Sequence, residues 1–278
     1  MLDYNNYCIG KLENLKDIFI TSYVIIDDIY KELIPIEVKE RRNISKSKLS
    51  YSEIITISLV GELLTIDSEI SWFNFVKNNF RDLFPQIGDR TSFNRTKRNL
   101  YTVIREIQSK FFFLNNFSDH PVRIVDSMPI PVCEFARAYF SKCFKDISSY
   151  GYYASKKETY FGLKLHTLIT NNRYISDSLS KELANEREIS LLAIQRKNSK
   201  KVIPKNFRNT LSKMRRRIKT SFSQLAGQLN INKILVKSKL GLLTRITLKV
   251  LAHNLAYLLN NLMGKTKNIG QIKHLIFV

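Results

Sequence analysis

A single carboxylate, Asp126, occupies the kind of position from which a protein can hold a metal ion. Residues 122–125 form a short β-branched run, which predicts a buried strand ending at Asp126 and Ser127. A carboxylate at the end of such a strand can point out of the sheet while the strand stays packed, and its oxygens suit hard cations such as Mg²⁺. Taken alone, an Asp after a strand is more often a turn or capping residue. Asp126 therefore indicates a metal site only if other features agree with it.

A dense run of cations is the second feature with chemical potential. Residues 206–229 follow a helical pattern and are strongly basic. The cluster consists of Lys213, Arg215, Arg216, Arg217 and Lys219. These side chains wrap much of the helix, so some of them reach solvent whichever face packs. Such a cluster predicts contact with phosphates, which supplies affinity without reading sequence. The alternative is ordinary surface charge in a lysine-rich protein.

A second basic helix is predicted in the N-terminal part of the chain. It starts near Thr91 and alternates apolar residues with cations. Its cations are Arg95, Lys97, Arg98 and Arg105. Several short helices that end in a basic one suit a helical DNA-binding module, in which Arg95, Lys97 and Arg98 are the candidate contacts. A plain helical bundle with a basic solvated face explains the pattern equally well.

The charge of the whole chain agrees with a nucleic acid partner. The 45 Lys and Arg residues against 24 Asp and Glu give a net charge of +21, and a field of this size favours a polyanion. Codon bias in an AT-rich genome, which raises Lys, Asn and Ile together, is the alternative origin of this charge. The 3 cysteines are too few and too scattered for a disulfide framework or a zinc site.

Neither a signal peptide nor a membrane span is predicted. The first residues lack a cationic segment followed by an apolar one. The most apolar long stretch, residues 240–263, contains Arg245, Lys249, His253 and Asn254 at intervals, which predicts an amphipathic helix instead of a membrane span. We therefore expect a cytoplasmic protein without a membrane partner.

The order of the elements predicts an α/β domain behind a helical region. Residues 1–118 are mostly helical by periodicity. Later strands are predicted at 122–125, 160–170, 174–176 and 189–194, and helices at 180–188, 206–229 and 240–264. Strands and helices after an all-helical start indicate a mixed α/β fold. The predicted parts are a helical, DNA-binding region at 1–118, an α/β domain at 119–230 and a C-terminal helical segment at 231–278.

Several motifs follow one another in a recognisable order. In the α/β part they are Asp126-Ser-Met-Pro129, Tyr150-Gly-Tyr-Tyr-Ala-Ser-Lys-Lys157, Tyr160-Phe-Gly-Leu-Lys-Leu-His166, Ile194-Gln-Arg-Lys-Asn198 and Arg215-Arg-Arg-Ile-Lys-Thr-Ser-Phe-Ser-Gln224. The flanks add Glu62-Leu-Leu-Thr-Ile-Asp-Ser68, Trp72-Phe-Asn-Phe75 and Leu251-Ala-His-Asn-Leu-Ala-Tyr257. In these motifs the chain resembles, nearly end to end, the DDE transposases of small bacterial insertion sequences, in particular the group numbered nine hundred and eighty-two.

The resemblance implies a ribonuclease-H-like domain, which is a mixed sheet with flanking helices, preceded by the all-helical region. It also implies hydrolysis and transesterification of DNA phosphodiesters. In that family three carboxylates hold two Mg²⁺ ions, which activate the attacking oxygen and stabilise the leaving one. Asp126 matches the first of these carboxylates. The implied partners are the DNA ends of the element and a second protein copy, either a homodimer mate or an intact transposase.

Two departures from the family pattern predict that this copy is inactive. Residues 174–177 run directly into 178–183, which resemble the segment after the family's second Asp, so the domain lacks a segment near 177–180 and Asp177 matches a non-catalytic position. Lys219 stands where the family has its last metal-binding Glu. Two like charges about 4 Å apart repel by roughly 1 kcal/mol in water and by several times more when partly buried. An ammonium at this position should therefore abolish the metal site.

We therefore expect an insertion-sequence transposase that binds DNA and does not cut it. The alternative is a non-catalytic DNA-binding protein that occupies the element's ends or inhibits an intact transposase. A third hypothesis is a nuclease that uses Asp126 and Asp177 with one metal ion, and it requires cutting that depends on a divalent cation.

Overall fold

The computed structural model describes residues 14–35, 47–113, 124–153, 156–170, 173–176 and 205–265, together with positions 12, 270–272 and 275. Several predictions lie outside these residues. They are the helix at 180–188, the strand at 189–194, the missing segment near 177–180 and Asp177. The fold of the described residues is mixed α/β, as the order of predicted elements indicated.

Five helices make up the described N-terminal part. They are α1 (Leu15–Leu33), α2 (Tyr51–Leu63), α3 (Glu69–Asn79), α4 (Arg90–Asn99) and α5 (Tyr101–Phe113). Side chains cap their first turns, because Ser50 accepts from the backbone N–H of Glu53 at 3.1 Å and Ser68 accepts from that of Ser71 at 3.3 Å. The single basic helix predicted from Thr91 onward is two helices, since Leu100 interrupts it.

Four strands form an antiparallel sheet around one central strand. They are β1 (Ile124–Pro131), β2 (Ser149–Tyr153), β3 (Glu158–Thr170) and β4 (Arg173–Ser176), and a short 3₁₀ helix, Phe135–Arg137, lies between β1 and β2. β1 pairs with β3 from Ile124 opposite Ile169 to Pro131 opposite Gly162. β2 and β4 pair with the two ends of β3. The predicted strands at 160–170 and 174–176 are confirmed, and every described pair of strands is antiparallel.

The first strand corrects a prediction. Sequence analysis ended it at Asp126, whereas β1 continues to Pro131, so that Asp126 lies inside the strand. Met128 and Ile130 alternate onto the buried face of the sheet, and their burial explains why the strand persists. Pro129 and Pro131 masked this pattern in the sequence, because proline is tolerated only in edge strands and at bulges.

Two long helices, α6 (Lys205–Gly227) and α7 (Lys239–Leu262), complete the fold. α7 belongs to both hydrophobic clusters of the molecule. Leu251 and Leu255 pack among the N-terminal helices, while Leu242 and Ile246 pack with the sheet and α6. The residues from Gly241 to Asn260 are buried except for Leu243, so the prediction of an amphipathic helix is wrong: α7 is a central helix buried on nearly all sides. Among the described residues, none of the helices has the length and apolar character that a bilayer span requires.

Two of the polar residues that suggested a solvated face on α7, Arg245 and Lys249, form a buried ionic cluster instead. Glu62, on α2, contacts Arg245 Nε at 2.6 Å and Lys249 Nζ at 2.8 Å. Asp67 lies 3.3 Å from the same Lys249 ammonium, and Asn230 donates to Asp67 at 2.9 Å. The Lys249 ammonium also donates to the Leu229 carbonyl at 2.7 Å. Two carboxylates and two cations thus balance one another, which is the condition under which buried charge is tolerated.

A close contact between α2 and α3 lies beside this cluster. The indole of Trp72 donates to the Ile57 carbonyl at 2.8 Å, and its ring lies so close to Gly61 that a Cβ there would be 2.5 Å from Trp72 Nε1. Only glycine permits this approach without a shift. Trp72 therefore packs directly against Gly61, the residue that precedes Glu62 in α2.

The ionic cluster predicts a strong coupling between Glu62 and Lys249. Lys249→Met leaves a net negative charge buried, and Glu62→Gln leaves a net positive one, so each should lower the free energy of unfolding by about 3–5 kcal/mol. The double variant restores the balance and should cost less than the sum by about 0.5–3 kcal/mol. Urea unfolding of the four proteins measures this coupling. Lys31→Met, which removes the exposed pair with Asp27, is the control and should change stability little. Strict additivity would contradict the cluster.

Candidate functional site

Asp126 lies on the half-buried part of β1, opposite Thr167 of β3. Alternate residues of a strand share a face, so Asp126 is on the same face as Met128 and Ile130. α6 packs on this face, because Ile218 and Phe222 belong to the same hydrophobic cluster as Met128 and Ile130. Asp126 forms no ion pair within the described part of the chain, and its Oδ1 accepts from the backbone N–H of Ser127 at 2.8 Å.

One edge of β1 pairs with no described strand, and this explains the local bond. The N–H of Val132, just beyond the strand, donates to the Phe161 carbonyl of β3 at 3.1 Å. Because backbone groups alternate along a strand, the even-numbered residues of β1 face β3, and Ser127, Pro129 and Pro131 face the other edge. Two of these three residues have no N–H, and Asp126 occupies that of Ser127. The Asp126 carboxylate therefore has a structural role at the edge of the described sheet.

The side chains around Asp126 do not fit the two Mg²⁺ ions that the family resemblance implies. The described residues include no group of three His, Cys, Asp or Glu side chains that could hold a metal ion. Lys219 is exposed on α6, next to the buried Ile218 that faces β1. The structure thus brings the helix of Lys219 against the strand of Asp126.

The solvent-exposed part of α6 is a cationic surface. Arg215, Arg216, Arg217 and Lys219 are exposed, while the side chain of Lys213 lies outside the described residues. Arg215, Arg216 and Lys219 form no ion pair with any described carboxylate. The sequence of α6 contains no Asp or Glu at all. We call Arg215, Arg216, Arg217 and Lys219 the α6 cationic face, in which Arg215, Arg216 and Lys219 have no described carboxylate partner.

The predicted contacts on α4 divide into three different environments. Arg95 is exposed, and Arg98 is half-buried and donates to the Asn94 carbonyl at 3.4 Å. Lys97 is buried and its ammonium binds the Glu69 carboxylate. Burial lowers the pKa of Lys97, and the negative charge of Glu69 opposes that lowering. The prediction that Lys97 contacts DNA is therefore corrected: it is a buried partner of Glu69, and only Arg95 projects freely from this trio.

A buried hydrogen-bond network holds the end of α6 against α7. Gln224 Oε1 lies 2.9 Å from His253 Nε2 and accepts from the Tyr257 hydroxyl at 3.2 Å. Because an amide oxygen only accepts, His253 carries its proton on Nε2. Gln224 Nε2 donates to the Gly270 carbonyl at 2.5 Å. Burial lowers the pKa of His253 to about 3, so that the ring stays neutral. The sequence pattern did not predict this network, since its hydrogen bonds join segments far apart in the chain.

No family model matches the chain, and no curated protein or solved structure matches it either. A function for this chain is therefore inferred from its own residues and from the placement of their charges.

The neutral, buried His253 predicts a loss of stability in mild acid. The unfolded chain takes up a proton on this residue near its usual pKa of 6.5, whereas the folded chain does so only near 3. The stabilisation is therefore complete above pH 6.5 and is lost as the pH falls, by about 2 kcal/mol between pH 6.5 and pH 5. The measurement is urea unfolding at several pH values in this interval.

His253→Gln tests the assignment of this pH dependence. The variant can still donate to Gln224 but cannot take up a proton, so its unfolding free energy should vary much less over the same interval. His166→Gln changes a partly exposed histidine of β3 and should retain the dependence of the unaltered protein. An identical slope in His253→Gln and in the unaltered protein would refute the role of His253.

Proposed function

We propose that this chain descends from a DDE transposase of a bacterial insertion sequence and that it binds DNA through the α6 cationic face without cutting it. The observation that carries this proposal is the placement of that face. Three exposed cations that pair with no described carboxylate lie on a helix that packs against the strand of Asp126. In the resembled family the corresponding helix carries the last metal-binding Glu.

Electrostatics support a phosphate ligand for this face. Arg215, Arg216 and Lys219 keep their full charge because no described acidic group neutralises them. Arginine forms paired hydrogen bonds with phosphate oxygens, and each cation that meets a phosphate releases condensed counterions. The net charge of +21 adds long-range attraction to a polyanion. Such contacts supply affinity and position, and they do not read base sequence.

The arrangement of the described strands supports the proposed ribonuclease-H-like ancestry. β1, β3 and β4 lie side by side, because Thr167 of β3 pairs with Asp126 on one edge and with Ser176 on the other. Asp126 lies on the first strand of this set, and the helix with Lys219 packs on its face, as the resemblance implies. A mixed sheet also requires parallel strands, and the segment predicted to supply one, residues 189–194, lies outside the described residues.

The proposal excludes strand cleavage because of the donor set at the site. Phosphodiester chemistry of this class needs carboxylates that hold two divalent cations. Asp126 is engaged with the Ser127 amide, and Lys219 brings a positive charge to the neighbouring helix. The proposed remaining activity is DNA binding, either at the ends of an element or beside an intact transposase.

Replacing the α6 cations should weaken DNA binding and lower its salt dependence. Arg215→Gln, Arg216→Gln and Lys219→Gln together remove three phosphate contacts, so the slope of log K against log salt should become shallower by about 2–3. Fluorescence anisotropy of a labelled duplex over a salt series measures this slope.

A matched control separates this face from charge in general. Lys233, Lys237 and Lys239 are exposed outside α6, and their replacement by Gln removes the same charge. This control should retain most of the affinity and the slope. Equal losses in the two triple variants would mean that net charge alone attracts DNA, and the proposed interface would be wrong.

Purified protein should not nick DNA. A plasmid that carries the DNA flanking this gene, incubated with Mg²⁺ or Mn²⁺, should show no more nicking with the unaltered protein than with Asp126→Ala, because the described residues provide no carboxylate set for the metal pair. Gel analysis of supercoiled plasmid provides the measurement. Nicking that depends on the divalent cation and disappears in Asp126→Ala would overturn the proposed inactivity.

A further inference from the structure

An unusual group of exposed aromatic rings lies in the segment of the chain that connects β1 to β3. Tyr139 and Phe140 are each 79% exposed, and Tyr152 is 62% exposed. Phe135 and Tyr150 are also exposed large rings. We call Phe135, Tyr139, Phe140, Tyr150 and Tyr152 the aromatic surface. Aromatic side chains bury large areas when they pack, so five open rings within a short segment indicate a surface that receives another molecule.

Local contacts hold these rings in place. Tyr150 packs against the buried Phe161 of β3 at 4.9 Å between ring centroids, and Phe135 meets Tyr150 at 6.0 Å, edge to face. Tyr139 and Phe140 meet at 5.3 Å with their planes at 89°. A turn in which the N–H of Phe140 donates to the Arg137 carbonyl keeps this second pair beside the 3₁₀ helix. Open ring faces on a fixed backbone need little ordering when a ligand binds.

The register of the sheet places part of this surface on the side of α6. Tyr150 lies opposite Phe161, and Tyr152 lies opposite Thr159. Phe161, Leu163, Leu165 and Thr167 alternate on β3 with the same parity, and Thr167 lies opposite Asp126. Tyr150 and Tyr152 therefore lie on the sheet face that α6 covers, and their partners on β3 are six and eight residues from Thr167, the partner of Asp126. A DNA molecule on the α6 cationic face can continue onto these rings.

The charges around the rings favour a polyanion. Residues 132–157 contain five Lys and Arg against two Asp and Glu. Lys142, Lys145, Lys156 and Lys157 are exposed and form no ion pair with a described residue, whereas Arg137 lies 3.7 Å from Glu134. Proteins bind single-stranded nucleic acid with cations that contact its phosphate backbone and with aromatic rings that stack on its bases.

We propose that the aromatic surface stacks the unpaired bases of a DNA strand that continues from a duplex held by α6. This inference rests on the proposed DNA-binding function and adds a ligand state to it, namely a duplex with an unpaired tail. The lysines bind the phosphates of the tail, and the rings bind the bases without selecting among them.

Two tailed duplexes isolate the stacking contribution. One carries a single-stranded thymidine tail of about eight nucleotides, within the range one such site covers. The other carries an abasic tail of the same length, which has the same phosphates but no bases. Anisotropy with the full-length protein should show about tenfold tighter binding to the thymidine tail, because phosphate contacts cancel in the comparison. Equal affinity for the two tails would overturn the inference.

Matched variants assign the preference to the rings. Tyr139→Leu with Phe140→Leu keeps apolar bulk but removes two of the five aromatic faces, so the preference for bases should fall severalfold. Tyr139→Phe with Phe140→Tyr keeps both faces and should retain it. Both rings are largely exposed and contact one another, which makes these variants compatible with folding. Persistence of the preference in the leucine variant would refute the assignment.

Crosslinking supplies a readout that needs no variant. A tail containing 5-iodouracil should crosslink on irradiation to Tyr139, Phe140 or Tyr152, as identified by mass spectrometry. Crosslinks confined to other segments would contradict the proposal. A change of self-association in the leucine variant, with the base preference intact, would show instead that the rings form an interface between copies of this chain.

The same reagents separate this inference from the function on which it rests. The triple α6 variant should weaken binding to the two tailed duplexes by the same factor. If the protein binds duplex through α6 but gains nothing from unpaired bases, only the stacking inference fails. If it binds no duplex, the proposed function fails and the inference falls with it.

Discussion

The structure depends on the meeting of Glu62 and Asp67 with Arg245 and Lys249 in the interior. Taking these charges out of water costs several kcal/mol per ion, and this cost is offset only when all of them are in place. Apolar side chains on α2 and α7 would tolerate a shift of one helix along the other, because leucine and isoleucine make similar contacts in many registers. The ionic cluster does not tolerate it, since a shift of one turn would separate Lys249 from both the Glu62 carboxylate and the Leu229 carbonyl. Apolar burial thus supplies most of the stability, and the charges select the arrangement of the helices.

The position of the functional surface follows from that selection. α7 is shared by the helical cluster and the sheet cluster, so its register determines how the two halves of the molecule meet. α6 in turn is bonded to α7 through Gln224, His253 and Tyr257. The cations of α6 lie between five and nine residues before Gln224 on a continuous helix. Their direction is therefore fixed by contacts buried well away from the DNA that they are proposed to bind.

Local pattern was sufficient for some elements and insufficient for others. β3 and β4 follow directly from their runs of β-branched and aromatic residues. The exposure of Arg215, Arg216 and Lys219 also follows, because a cluster that wraps a helix cannot be buried as a whole. The burial of Lys97 could not be predicted from local pattern, since its partner Glu69 lies 28 residues earlier and only the tertiary fold brings the two together. The polar residues of α7 suggested a solvated face for the same reason. Periodicity records that a helix has polar positions, and it does not record whether water or a distant carboxylate satisfies them.

Pro129 and Pro131 have a consequence for the behaviour of the chain in solution. Both place their nitrogen on the outer edge of β1, where the one intervening amide is already bonded to Asp126. An exposed strand edge with a full row of amides can recruit strands from other molecules and begin a fibrillar aggregate. Here that row is interrupted at three successive outward positions. Within the described sheet, the motif that begins at Asp126 therefore makes this edge a poor template for intermolecular pairing.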